Sequence, residues 1–351
     1  FRRVLFRSLK LKEMFSLKNK FKLMLCIIIS VSFLSQGCGK KSVPAPQTKT
    51  KPPVKTSQKY ISPYTGELVT KKVFDNIAVL AIVENSVDAR PQSGLNDADI
   101  VYETMAEGGI PRFIALFQKE SPKKIGPIRS ARAYFLDISK EYNLPFAHCG
   151  GSEEALLKIN REKLMSMNEM NNSSTYWRDS IRKAPHNLYT STDKLRELIK
   201  SKKFAYSPTA KLNFNKLYWD NTGLTKASDV FLKLNKYYDT RYIYKDGFYL
   251  KSMDGKTSTN KEDNLPLNVK NVVVQITTIK IQSDGSHLDI KLVGNGNGYV
   301  ISNGKYVKML WKKKTVNSQT ILTDNKGNNL PLNPGKTWWN IVDKNAVVNI
   351  K

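Results

Sequence analysis

The sequence is poor in cysteine and histidine: its 351 residues include three of each. Cys26 and Cys38 fall in or just after an apolar N-terminal run, and Cys149 stands alone in the body of the chain. No disulfide framework therefore supports the fold, which must rest on a core that a chain this long can supply. His148, His186 and His287 are too widely spaced to suggest a shared metal site. His-Glu-x-x-His, Gly-x-Ser-x-Gly, P-loop and dinucleotide-binding motifs are all missing, which removes the reading each would carry. Acid is scarce, with 30 Asp and Glu against 57 Lys and Arg and a formal charge of +27. Long apolar runs are missing too. Residues 23–34 are the best candidate, and they fall well short of the roughly 20 residues needed to span a bilayer.

What is present begins at that short run. Lys18, Lys20 and Lys22 precede it and Ser35-Gln36-Gly37-Cys38 follows. A basic segment, a short apolar segment and a small residue before a cut describe a secretory signal. The Gly37-Cys38 pair resembles a bacterial lipobox, although Ser35 and Gln36 stand where Leu and a small residue are usual. That resemblance implies cleavage before Cys38, a diacylglyceryl group on its sulfur and export of the remainder. Residues 1–13 are expected to be a non-native leader, with Met14 the start and 14–37 the signal peptide. Residues 38–59 are expected to be a disordered tether: Lys, Pro, Thr, Ser and Gln offer too little apolar surface to offset the entropy of ordering, and Pro44, Pro46, Pro52 and Pro53 keep it extended.

The charge is unevenly spread. Residues 1–38 hold eight Lys or Arg and one Glu, residues 39–60 hold six Lys and no acid, and about +14 remains for 61–351. Such a surface favours polyanions. After export these would be anionic lipid and anionic wall polymer, and a nucleic-acid partner is not expected. The Lys residues of the tether would lie along anionic headgroups.

From residue 60 the patterning changes twice. Residues 77–83 form an unbroken apolar run, as expected of a strand covered on both faces. Residues 99–104, 112–118 and 145–149 read as further strands, and 130–142, 152–160 and 192–201 as helices. In the first helix Ala131, Tyr134, Phe135, Ile138 and Tyr142 share one face. Residues 60–222 are therefore expected to form a layered α/β domain. Beyond Gly223 short alternating strands separated by turn residues take over, with Asp246-Gly247 and Asn303-Gly304 as hairpin turns. Residues 223–351 are expected to form a mostly-β domain.

Three segments are denser in polar and special residues than a scaffold requires: 88–99, 103–112 and 125–132. In the third, Gly126-Pro127 breaks structure, Ser130 reads as a helix N-cap, and Arg129 and Arg132 sit at the helix start. Two guanidinium groups at the positive end of a helix call for an anion, and with free N–H groups they would make a phosphate or carboxylate cradle. That anion is either a ligand or an internal carboxylate, with Asp99, Glu103 and Glu107 the candidates. Arg90, Asp99, Arg112, Arg129, Ser130, Arg132 and His186 are the expected binding residues. Glu103, Glu107 and His148 are the candidates for catalysis. His148 and Cys149 are neighbours on a strand and point to opposite faces, so they do not form a dyad. No cofactor and no metal site is expected. Gly294-Asn295-Gly296-Asn297-Gly298 lacks the following helix of a phosphate loop, and Trp311, Trp338 and Trp339 read either as β-domain core or as a stacking surface.

Taken in order, residues 89–95 with 98–103, 107–117, 125–135, 148–152 and 183–192, and then 294–299, Asn303-Gly304, Trp311 and 333–338, resemble the YerB-like family of Gram-positive lipoproteins. Cys149 and Pro111 depart from the residues usual there. The resemblance covers about 60–351 and implies a lipobox, a tether, an N-terminal α/β domain and a C-terminal β-rich domain, with no reaction attached. A fainter similarity, at fold level only, is to the LytR-CpsA-Psr wall-polymer transferases. The sequence thus leads to an envelope lipoprotein that binds a wall component or an envelope protein. The alternative is an enzyme on a phosphate-linked or anionic envelope substrate, with Arg90, Arg112, Arg129 and Arg132 as clamp and Glu103, Glu107 or His148 as base. An open cleft with unpaired arginines would favour the enzyme, and buried Arg–Glu pairs the binding protein.

Overall fold

The computed structural model describes residues 58–209 and 212–351. The expected leader, the signal peptide, Cys38 and the tether up to residue 57 lie outside the described residues.

The apolar run after residue 76 becomes strand β1 (Val79–Val83), buried at all five positions. A strand with both faces buried needs a layer on either side, and the rest of the chain supplies both. The other principal strands are β2 (Ile100–Met105), β3 (Pro111–Phe117), β4 (Phe146–His148), β5 (Ser166–Asn168), β6 (Asp229–Lys233), β7 (Asp239–Lys245), β8 (Phe248–Met253), β9 (Asn271–Thr277), β10 (Gly294–Ser302), β11 (Lys305–Lys313), β12 (Thr337–Asp343) and β13 (Val347–Ile350). The helices that cover them are α1 (Ala133–Tyr142), α2 (Glu153–Arg161) and α3 (Thr192–Ser201).

An eleven-stranded sheet runs through the molecule in the order Thr225–Lys226, β11, β10, β9, β12, β2, β3, β1, β4, β5, with Ile321–Thr323 also paired to β11. It takes strands from both sides of the change in patterning near Gly223. The junction is β12, inserted parallel to β2 on one side and to β9 on the other. β1, β4 and β5 are also mutually parallel, so β1, β2, β4 and β5 all end at one edge of the sheet.

One face of this sheet packs against α1 and α2, burying Tyr102, Ile114, Phe135, Tyr142, Trp311 and Trp339. The other face is covered near β1 by α3 through Leu195 and Ile199, and elsewhere by a six-stranded sheet in the order Lys256–Thr257, β8, β7, β6, β13, with Asn268–Val269 on β8. Alternation along β6 reflects this packing, since Val230 and Leu232 point inward and are fully buried. The N-terminal part is thus mixed α/β and the C-terminal part mostly β.

One local expectation changes and two open readings are resolved. The first helix begins at Ala133 rather than at residue 130, and its N-cap is Arg132, without a side-chain cap. Ala131 is held instead in a bridge to Gly151, so Ser130 belongs to an extended strap. The Gly-rich segment is the start of β10, not a loop. A β-carbon on Gly298 would stand 2.0 Å from the Val274 carbonyl, and one on Gly296 would stand 2.6 Å from the Trp311 ring nitrogen. These glycines make room for a close strand and for an indole that donates to the Ile276 carbonyl. Trp311, Trp338 and Trp339 are each 1% exposed, which makes them core and leaves no stacking surface.

Candidate functional site

The edge where β1, β2, β4 and β5 end is where ligand sites of open α/β sheets form, and most of the expected residues gather there. The strap 125–131 runs along it. The Glu84 amide donates to the Pro127 carbonyl, the Arg129 amide to Ile82, and the Cys149 amide to Arg129. Gly126 begins the strap at φ 147°, and a β-carbon there would lie 2.7 Å from the Leu188 carbonyl.

This route places Arg129 on Glu84, the residue that follows β1. Glu84 is 3% exposed, and its Oε1 is met by Arg129 Nη2 at 2.9 Å, by His186 Nδ1 at 2.9 Å and by the Ser86 hydroxyl at 2.8 Å. A second cluster sits beside it, between β2 and β3. Arg132 Nε stands 2.6 Å from Glu107 Oε1, and Arg112 Nη2 stands 3.9 Å from Oε2. Arg112 also donates to the Ser130 carbonyl and Arg132 to the Ala131 carbonyl. Burial, with the Arg132 charge adding to it, draws the Arg112 guanidinium down to about 10. Arg90 donates to the Asn85 carbonyl and side chain and pairs with Asp254 at 2.5 Å. It lines a groove of about 340 Å³ shared with Met253 and Lys256.

The remaining candidates lie elsewhere or are already bonded. His148 is fully buried; its Nδ1–H donates to the Gly150 carbonyl and its Nε2 accepts from the Ser166 hydroxyl, each at 2.7 Å. Burial lowers it to about 4, so it is neutral near pH 7. Burial, assisted by Glu169, raises the neighbouring Cys149 thiol to about 11, which keeps it protonated and a poor nucleophile. Asp99 lies at the opposite end of β2, where it accepts from the Gln118 and Lys119 amides. Burial raises it to about 7 against those two hydrogen bonds. Glu103 points between the two sheets, 2.8 Å from Lys251 Nζ and 2.7 Å from the Trp338 ring nitrogen. Both charged side chains of that pair are 1% exposed.

Of eight buried side-chain polar atoms without a hydrogen-bond partner among the described residues, six belong to Glu84, Asn85, Glu107, Arg132 and Tyr134. Arg132 Nε and the two Glu107 oxygens are engaged in the ion pairs above, so it is the Glu84, Asn85 and Tyr134 atoms that mark the strand ends as a place for water or a small polar ligand. Glu84, Lys251 and Ser166 were missed from sequence. Only Glu84 left a signal, a carboxylate directly after a run of buried strand. Among the described residues no group of three or more His, Cys, Asp or Glu is placed to hold a metal ion.

With this architecture in view, the chain belongs to a two-part family. Residues 64–205 match the family described as "Protein of unknown function (DUF3048) N-terminal domain", and residues 229–339 match its C-terminal counterpart. The chain is similar to the protein named "Putative lipoprotein YerB" of Bacillus subtilis (strain 168), at 33% identity over 90% of this chain and 94% of that protein. It also resembles the crystal structure of the YerB protein from Bacillus subtilis. The TM-score is 0.74, with coverage of 83% of this chain and 99% of that one.

Proposed function

We propose that the chain is a lipoprotein held at the extracytoplasmic face of the cell membrane through Cys38, where it binds a wall component or an envelope protein without transforming it. Two lines support the membrane location: the short apolar run ending in Gly37-Cys38, and the name of the Bacillus subtilis relative. Among the described residues no helix is long and apolar enough to cross a membrane.

The observation that carries the binding reading is the internal engagement of the strand-end groups. Glu84 takes up Arg129 and His186, Glu107 takes up Arg112 and Arg132, and His148 has both ring nitrogens occupied. A base needs a free lone pair within reach of its substrate, and an anion clamp needs unspent donors. Here each of these arginines already meets a carboxylate of the same chain, and His148 has no free ring nitrogen. One observation favours the alternative, an enzyme on an anionic envelope substrate: the unpartnered polar atoms of Glu84, Asn85 and Tyr134 at the same edge.

The test is to incubate the full chain, in its membrane, with insoluble cell wall. Retention of the protein on the wall with no soluble wall fragments released is the expected result. Fragments released by the wild type and not by Arg129→Gln would support the enzyme instead.

A further inference from the structure

The second sheet leaves part of the main sheet uncovered, and that part differs from the strand ends in kind. Tyr299 on β10 is the register partner of Lys308 on β11, and Asn297 pairs with Leu310, Asn295 with Lys312 and Ile301 with Tyr306. Paired residues share a face. Ile301 is covered and Tyr299 and Tyr306 are half-buried, whereas Asn295, Asn297, Lys308, Leu310 and Lys312 are exposed. Ile321 and Thr323 extend the same face as the partners of Lys312 and Leu310. Two depressions open here, of about 450 and 320 Å³, and they meet at Lys308 and Asn325. Tyr306 lines the first and Tyr299 the second, with ring centroids 5.9 Å apart.

The polar groups of this face are unspent. Lys308 and Lys312 make no ion pair, and Asn295, Asn297 and Asn325 make no side-chain hydrogen bond, among the described residues. Asp324, the one carboxylate lining the depressions, is occupied by its own turn, accepting from the Lys326 and Asn328 amides and from the Asn328 side chain. The face therefore presents net positive charge, primary amides and two aromatic rings.

Resting on the binding reading above, we propose that this β10–β11 face is the binding site, and that its ligand is a glycan strand whose sugars carry carboxylates. Each part of the ligand has a counterpart. The apolar face of a pyranose packs on a tyrosine ring, Asn297 and Asn325 suit sugar hydroxyls and acetamido groups, and Lys308 and Lys312 meet carboxylates. A polyol-phosphate chain would use the lysines and leave the rings idle.

The experiment titrates the full chain, in mild detergent, with four probes: carboxylated wall glycan freed of peptide, a neutral chitin oligosaccharide, poly(glycerol phosphate), and the free wall peptide. Wild type is run beside Lys308→Glu and Tyr306→Leu, and Asn297→Ala serves as the variant least able to disturb folding, all checked by circular dichroism. The expected result is saturable binding of the carboxylated glycan, about tenfold weaker binding of the neutral one, and a loss of about tenfold or more in Lys308→Glu. Asn297→Ala should lose several-fold while remaining folded. Tight binding of poly(glycerol phosphate) or peptide alone overturns the ligand class. Glycan binding unchanged in all three folded variants overturns the site and leaves the binding reading standing. No binding of any probe overturns the site proposal, whereas release of wall fragments in the preceding test would overturn the reading it rests on.

Discussion

The strand-end edge and the β10–β11 face are both basic, and they spend their charge in opposite ways. At the edge, Arg90, Arg112, Arg129 and Arg132 each meet a carboxylate of the same chain within ion-pair distance, and Lys251 meets Glu103 deeper in the core. On the open face Lys308 and Lys312 have no such partner among the described residues. Arginine with carboxylate in a low-dielectric setting is a device for internal order, because its fork fixes geometry. A lysine on an exposed strand keeps its hydration and its freedom until a ligand arrives. Density of unusual residues in a sequence can therefore mark where a protein is tied together rather than where it is available.

The contrast can be broken most forcefully at its deepest point. Glu103→Ala should destabilise the protein by about 3–5 kcal/mol, because it strands the Lys251 cation and the Trp338 N–H in the core. Urea unfolding measures this, and a loss below about 1 kcal/mol would mean that the pair holds little together. Glu107→Ala should cost less, about 1–3 kcal/mol, since its side chain and that of Arg132 keep 15% exposure and solvent screens what remains. Glycan affinity should not change in either variant as long as it folds.

A smaller net effect is expected from pH, because two buried groups oppose each other. His148 is held down to about 4, so the stability tied to its neutral form is present above its ordinary 6.5 and is lost as pH falls through about 4. Asp99 is raised to about 7, so its contribution is present below its ordinary 3.8 and is lost as pH rises through about 7. Between those limits the slopes partly cancel. Asp99→Asn should expose the histidine, giving a melting temperature that falls more steeply with acid than in the wild type. An unchanged slope would mean that Asp99 does not titrate in this range. The smallest effect belongs to the open face: Asn297→Ala and Lys308→Gln should each alter stability by no more than about 0.5 kcal/mol. A larger loss would show that the face is structural.

Much of the fold can be read locally. The run 77–83 becomes β1, residues 192–201 become α3 with Ser191 as cap, and Asp246-Gly247 turns β7 into β8, because periodicity, caps and turn chemistry act over a few residues. The insertion of β12 between β2 and β9 is not readable in this way. Parallel pairing joins residues more than 200 positions apart, and nothing in 337–343 names its neighbours. At the site, the clustering of Arg112, Arg129 and Arg132 is visible in the segments 103–112 and 125–132. Their partners are less so. Glu107 lies in the same segment as Arg112, but Glu84 becomes a partner only once the strap crosses the end of β1. The open face left only the Gly294–Gly298 segment, weighed as a phosphate loop; its Asn, Lys and Tyr on alternating strand positions look like any solvated sheet until the covering layer is seen to stop short.

The most direct test compares the two regions with one ligand: affinity for the carboxylated glycan in Lys308→Glu and in Arg129→Gln, measured side by side on the folded full chain. A loss of about tenfold or more is expected in Lys308→Glu and a change within about twofold in Arg129→Gln. The reverse pattern, with binding lost in Arg129→Gln and kept in Lys308→Glu, would contradict that expectation and return the binding site to the strand ends.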